Sequence, residues 1–299
     1  MLSEFELIRR YFDRPARSAV LGVGDDAALL RPAAGMTLAV STDLLLEGRH
    51  FRAGADPRKL GHKALAVNLS DLAAMGARPR WATLALALPS ASERWLSGFS
   101  RGFFALARRF GVELVGGDTT RGRLAICVTI LGDVPRGKAL RRDGARPGDE
   151  IWVSGALGGA AYALAHPRNA AAARRLHVPE PRVGLGLRLR GVATAAIDVS
   201  DGFAQDLGHI LERSGVGATV AYERLPRFPG ASARQVLSGG DDYELIFTAR
   251  PGKNIAAIAR ALRLRLARVG SIVGRRGLRV LDARGRTIQA ARGFDHFAG

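Results

Sequence analysis

The stretch Pro135-Arg-Gly-Lys-Ala-Leu-Arg-Arg-Asp-Gly-Ala-Arg-Pro-Gly-Asp149 decides how this chain is organised. It follows the longest strand candidate, Leu124 to Val134, and precedes a fresh apolar run, Ile151 to Val153. Glycine, proline and charge crowd into it, which is the composition of a linker between domains. We therefore expect two domains, 1–136 and 137–299. Upstream, Thr37 to Val40 and Ala82 to Leu88 read as strands. Pro57 to Met75 reads as a helix, with Leu65, Leu69 and Leu72 on one face, and Glu93 to Phe110 as a second helix stopped by Gly111. Downstream, strands are expected near Ala195–Val199, Ala218–Ala221, Leu245–Thr248 and Arg268–Val273, with a helix from about Phe203 to Arg213. Both halves mix helix and strand, so the fold class is α/β (mixed α+β).

Part of the same region imitates a phosphate-binding loop. Gly132-Asp-Val-Pro-Arg-Gly-Lys138-Ala139 follows a strand and ends near a lysine. It has Ala139 where a Ser or Thr should hold Mg²⁺, and Pro135 interrupts it, so we read it as linker. Gly155, Gly158 and Gly159 do not have the dinucleotide-binding spacing and read as a tight turn before an Ala-rich helix. The histidines have no metal-ligand spacing. Cys127 alternates with apolar residues and is expected in the core.

The 299 residues are 47% hydrophobic and 24% charged, an ordinary globular balance that excludes wholesale disorder. One cysteine excludes a disulfide framework and a Cys-rich zinc site. No apolar run is long enough for a bilayer, and Met1-Leu-Ser-Glu-Phe-Glu lacks the basic start of a signal peptide. A cytoplasmic location without membrane contact is expected. The net charge of +18 suggests nucleic acid, but only four basic residues are lysine and the 41 arginines are spread along the chain. With 6% aromatic residues there is little for stacking bases, so no specific nucleic-acid partner is expected.

The scarce acids carry more information. Nine of the 27 fall in six similar places, each an apolar run, a small or polar turn, then the acid: Asp25-Asp26, Asp43, Asp71, Asp118, Asp198 with Asp201, and Asp241-Asp242. Asp after Gly or Ser is a common turn and cap residue, and Asp201 before Gly202 suits a helix cap. Asp71 is harder to explain so, because it sits inside an apolar helical pattern where an unpaired charge is costly. Converging carboxylates need cations, and hard oxygen ligands without a Cys or His cluster select Mg²⁺. Gly116-Gly117 and Gly239-Gly240 allow backbone amides to approach phosphates. The pattern points to Mg-nucleotide chemistry.

Taken together, Gly24-Asp-Asp-Ala-Ala28, Ser41-Thr-Asp43, Glu47-Gly-Arg-His-Phe51, Lys63 to Ala77, Gly116-Gly-Asp-Thr-Thr-Arg121, Arg142 to Asp149, Asp198-Val-Ser-Asp-Gly202, Gly239 to Leu245 and Gly293-Phe-Asp-His-Phe297 resemble the thiamine-monophosphate kinase family. That family is a branch of the aminoimidazole ribonucleotide synthetase and selenophosphate synthetase superfamily. The resemblance implies a two-domain fold of that kind: an N-terminal metal-binding, ATP-binding and dimerisation domain whose sheet forms a barrel across a homodimer, and a C-terminal α/β domain. It implies direct in-line transfer from ATP to thiamine monophosphate, with several Mg²⁺ ions and no catalytic general base.

By motif position, Asp26, Ser41, Thr42, Asp43, Asp71, Asp118, Asp198 and Asp201 would hold metal. Gly117, Arg142 and Ser200 would contact ATP, and His50, Asp241 and Phe294 would contact thiamine monophosphate. The family usually has Glu where this chain has Asp241, one methylene shorter. The alternative is another ATP-using member of the superfamily; selenophosphate synthetases carry a reactive Cys or selenocysteine near the N-terminus, and this chain does not.

Overall fold

The computed structural model describes residues 3–290 and Gly293. It divides into two compact units, the first made of residues up to Leu72 with Ala77–Gly137, the second of Ala73–Gly76 with the chain from Lys138 onward. The segment 73–76 goes with the second unit because Gly186 presses on the Ala73 carbonyl, where an added Cβ would lie 2.0 Å away, and Leu140 N–H donates to the Met75 carbonyl.

The first unit runs α1 (Glu4–Tyr11), β1 (Met36–Leu46), α2 (Pro57–Ala74), β2 (Arg78–Leu88), α3 (Glu93–Phe110), β3 (Glu113–Arg121) and β4 (Ala125–Pro135). Its open sheet has the order β1-β4-β2-β3. β4 is antiparallel to β1 and β2, while β2 and β3 are parallel with α3 as their crossover. Asp56 starts α2 by accepting the N–H groups of Arg58 and Lys59, with Pro57 at the first helical position where no N–H is needed. Leu65, Leu69 and Leu72 are buried as the spacing predicts. α2 and α3 cross at backbone contact. A Cβ on Gly61 would fall 2.1 Å from the Phe99 carbonyl oxygen, and one on Gly102 1.9 Å from that of Arg58.

The second unit runs β5 (Glu150–Ser154), α4 (Gly159–Ala165), α5 (Ala170–His177), α6 (Val183–Leu189), β6 (Ala193–Asp198), α7 (Phe203–Ser214), β7 (Gly217–Ala221), α8 (Ala233–Ser238), β8 (Leu245–Ala249), α9 (Ile255–Leu262), β9 (Leu266–Val273) and β10 (Gly277–Leu281). Its sheet order is β10-β7-β9-β5-β8-β6, antiparallel except for β10 on β7. Ile151, Val153, Ile197, Phe203, Leu207, Ile210 and Ile246 meet in its core.

The structure revises several expectations. β1 continues through Leu46 rather than ending at Val40, and 113–121, read as a glycine turn before an acid, is a strand paired with β2. Cys127 is half-buried rather than in the core, since it lies on the sheet face where Val40, Leu44 and Leu46 are exposed. Gly132 and Asp133 belong to β4, paired with Ala39 and Leu38, and Asp133 holds Arg80 at 2.8 Å. No helix among the described residues is long and apolar enough to cross a membrane.

Candidate active site

In the first unit the β ladder, not a turn, places the Ser41-Thr-Asp43 motif. Ser41 is registered with Ile130, Thr42 with Thr129 and Asp43 with Val128. The two-residue period sends Ser41 and Asp43 to one face and Thr42 to the other, where its Oγ1 lies 2.9 Å from Thr129 Oγ1. Ser41 Oγ donates to Asp71 Oδ2 of α2 at 2.5 Å. Asp43 is half-buried near the same carboxylate. Burial, and then the Asp71 charge, push its carboxyl up to about 7. Ser41, Asp43 and Asp71 are thus brought together.

The remaining motifs of this unit stand on other segments or on the other sheet face. Asp118 is exposed on β3 and registered with Ala85, in the row of Cys127 and Leu44, on the other sheet face from Asp43. Gly117 beside it has φ 152, and a Cβ there would fall 1.9 Å from the Leu84 carbonyl oxygen, so only glycine fits. Asp26 is exposed in the irregular segment between α1 and β1. Glu113 ties that segment down by accepting the N–H groups of Arg17 and Ser18 and the Ser18 hydroxyl. His50 follows β1, and its Nδ1 accepts the Leu46 N–H at 2.9 Å, so the ring carries a proton on Nε2.

In the second unit two motif loops lie side by side. Asp241 N–H donates to the Ser200 carbonyl and Tyr243 N–H to that of Val199, both at 2.8 Å, while Val199 N–H donates to the Glu244 carbonyl. A Cβ on Gly240 would fall 2.3 Å from the Ser200 carbonyl oxygen. This brings Asp198, Ser200, Asp201 and Asp241 to one region. Asp241 and Tyr243 take left-handed φ values of 65 and 50, a strained backbone for non-glycine residues. Tyr243 Oη donates to Asp241 Oδ1 at 2.7 Å and so orients the carboxylate. Gly293 also belongs here: a Cβ on it would lie 2.7 Å from the Asp201 carbonyl oxygen. Phe294 lies outside the described residues. Arg142 is exposed, and its carbonyl accepts the Ser214 hydroxyl.

Asp201 does not cap α7. That helix begins at Gly202 without a side-chain cap, and Asp201 instead accepts from Gln205 Nε2 at 3.3 Å. Three acids outside the expected ligand set, Asp206, Asp242 and Glu244, shape the loops. Asp206 accepts the N–H groups of Ser200, Asp201 and Gly202. Burial, and then the Asp201 charge, raise its carboxyl to about 7. Asp242 accepts the N–H groups of Gly158 and Gly159 at the start of α4. Glu244 is 1% exposed and binds Arg182 through two 2.6 Å hydrogen bonds, with Arg175 and Ser154 as further donors. Asp206 had a legible signal, a carboxylate on the apolar Phe203–Leu207–Ile210 face of a helix. The two arginines had none.

Among the described residues no three His, Cys, Asp or Glu side chains gather tightly enough to enclose a metal. What the first unit offers is two carboxylates and a hydroxyl, with one carboxyl already disfavoured in its ionised form. Mg²⁺ is commonly held by one or two carboxylates plus substrate phosphates, so this donor set fits that ion and not zinc.

Residues 24–134 match the AIR synthase related protein N-terminal domain, and 146–283 match the corresponding C-terminal domain. The Escherichia coli (strain K12) thiamine-monophosphate kinase is 48% identical over 87% of this chain and 86% of its own length. The chain belongs to the thiamine-monophosphate kinase family. The crystal structure of the Stenotrophomonas maltophilia K279a thiamine-monophosphate kinase is similar with a TM-score of 0.84, at 47% identity, over 95% of this chain and 96% of that one. The structure of AaThiL complexed with AMPPCP and TMP is similar with a TM-score of 0.78, at 30% identity, over 89% of both chains. The mixed α/β two-domain fold is the one these relatives share.

Proposed function

We propose that this chain is a kinase that transfers the γ-phosphoryl group of ATP to the phosphate of thiamine monophosphate, giving thiamine diphosphate and ADP. The observation that carries this reading is its likeness, along nearly its whole length, to thiamine-monophosphate kinases, one neighbour having been solved with AMPPCP and TMP. The chemistry of the donor groups agrees with it. A phosphate acceptor attacks without a strong general base, and no histidine or carboxylate is assigned that role. Catalysis then rests on in-line positioning and on neutralising the charge of two approaching anions.

The metal-holding residues of this reading are, in the first unit, Ser41, Asp43 and Asp71 on one sheet face, Thr42 and Asp118 on the other, and Asp26, and in the second Asp198 and Asp201, so that more than one ion is required. Bound Mg²⁺ would offset the Asp43–Asp71 repulsion and neutralise phosphate oxygens. Gly117, Arg142 and Ser200 would contact ATP: Gly117 through a backbone that no side chain encumbers, Arg142 through an exposed guanidinium. His50, donating from Nε2, and Asp241, held by Tyr243, would meet thiamine monophosphate together with Phe294. The first unit would be the metal-binding, ATP-binding and dimerisation domain. Its uncovered sheet face, with Val40 57%, Leu44 49% and Leu46 38% exposed, supports a homodimer in which two such sheets close a barrel. A cytoplasmic location would agree with ATP as co-substrate.

A coupled ADP-release assay with thiamine monophosphate, with thiamine and with no acceptor tests the reading. Magnesium-dependent turnover is expected only with the monophosphate. Turnover on thiamine but not on its monophosphate would overturn it.

A further inference from the structure

The segment Asp198–Gly202 carries three of the proposed ligands, yet it has no regular structure after β6 ends at Asp198. Something must fix its peptide planes. On one side the loop Asp241–Glu244 supplies the hydrogen bonds to Val199 and Ser200 described above. On the other, a single oxygen, Asp206 Oδ2, accepts three successive N–H groups: Ser200 at 3.1 Å, Asp201 at 3.1 Å and Gly202 at 3.0 Å.

A residue serving only to cap α7 would bond N–H groups of the first helical turn, or reach back to the N-cap N–H of Gly202 alone, and not to those of Ser200 and Asp201 as well. Asp206 sits one turn inside α7 and reaches back to residues that precede it. It is 2% exposed, so it is not placed to touch a substrate directly. Gly202 at φ 126 provides the turn that aims its N–H inward, and a Cβ there would lie 2.9 Å from Ser238 backbone carbon.

We propose that Asp206 is a positioning residue for phosphoryl transfer: by gathering these three N–H groups it sets the directions in which Ser200 and Asp201 present their side chains. The proposal deepens the kinase reading of this loop and rests on it. Acceptance of N–H groups needs an oxygen, not a charge, so Asp206→Asn keeps the device and Asp206→Ala removes it.

Folding of each variant is checked first by circular dichroism and thermal melting. Asp206→Ala should raise the Mg²⁺ and ATP concentrations for half-maximal rate by about tenfold or more, the range typical of lost outer support to a ligand, with the KM for thiamine monophosphate changed much less. Asp206→Asn should bring both back to within about threefold of the parent. Hydrogen–deuterium exchange of a peptide covering 199–203 should be slow in the parent and in Asp206→Asn, and roughly tenfold faster in Asp206→Ala.

A folded Asp206→Ala protein with parental half-saturation values would overturn the proposal, as would an Asn variant impaired as severely as Ala. Rapid exchange of 199–203 in the parent would overturn it as well, and this measurement stands even if Asp206→Ala does not fold. Absence of parental turnover on thiamine monophosphate would instead sink the kinase reading, while the exchange comparison still judges Asp206.

Discussion

Asp43 and Asp71 show how a single carboxylate separates function from stability. Their closeness, with Asp43 pushed up to about 7 chiefly by burial, is unfavourable without a cation. Asp43→Asn should lower turnover roughly 100-fold or more, because a proposed ligand to the charge-neutralising ion is lost. The same substitution should raise the melting temperature of the metal-free protein at pH 8, where like-charge repulsion is removed. Near-parental turnover would show that the metal site lies elsewhere. Asp242 gives a pH signature at the same scale. Burial raises its carboxyl from 3.8 to about 7, against the opposing N–H group of Gly158. The folded state therefore holds the proton more tightly than the unfolded state. Its contribution to stability is complete below about pH 4 and is lost as pH rises through about 7, at up to about 1.4 kcal/mol per pH unit. Urea unfolding from pH 5 to 7 should show this fall on top of those from Asp43 and Asp206, and Asp242→Asn should lessen it; parallel profiles would refute the assignment.

At the scale of elements, α2, which carries Asp71, is docked on α3 at backbone contact. Gly102 is demanded by close approach, since a Cβ would lie 1.9 Å from the Arg58 carbonyl oxygen. Gly102→Ala should destabilise the first unit by about 1–3 kcal/mol through overpacking, despite the better helix propensity of alanine. Urea denaturation measures this, and unchanged stability would mean that the crossing is more compliant than its backbone contact implies. The helices α2 and α3 and most strands were readable, because their apolar residues recur with the period of the element and because Gly111 ends α3. β3 was not: two glycines before an acid look like a turn until β2 is present to pair with them. The short α5, α6, α8 and α9 lack the length for a distinct period, and tertiary packing decides them.

For the whole molecule, the net charge of +18 says less about partners than the placement of nine aspartates and one uncovered sheet face. Val40, Leu44 and Leu46 sit on that face beside half-buried Cys127 and Thr129. Leu44→Arg should shift the protein from dimer to monomer in sedimentation velocity while leaving the fold of the unit intact, since the side chain is already 49% exposed. A monomeric parent protein at micromolar concentration would end the dimer reading.

The class of chemistry, the mixed α/β composition and the family are legible in local patterns: carboxylate motifs, glycine pairs and apolar periods. The sequence also exposed Asp71 as an acid that an apolar helix face would not hold without reason. Which motifs meet depends on the assembled fold. Ladder register put Asp43 on the face of Asp71 and Asp118 on the other, a matter of one-residue parity that no local pattern fixes. Packing likewise assigned Asp206, Asp242 and Glu244 their partners, because their donors come from chain segments up to 90 residues away or from loops whose shape exists only once the fold is formed.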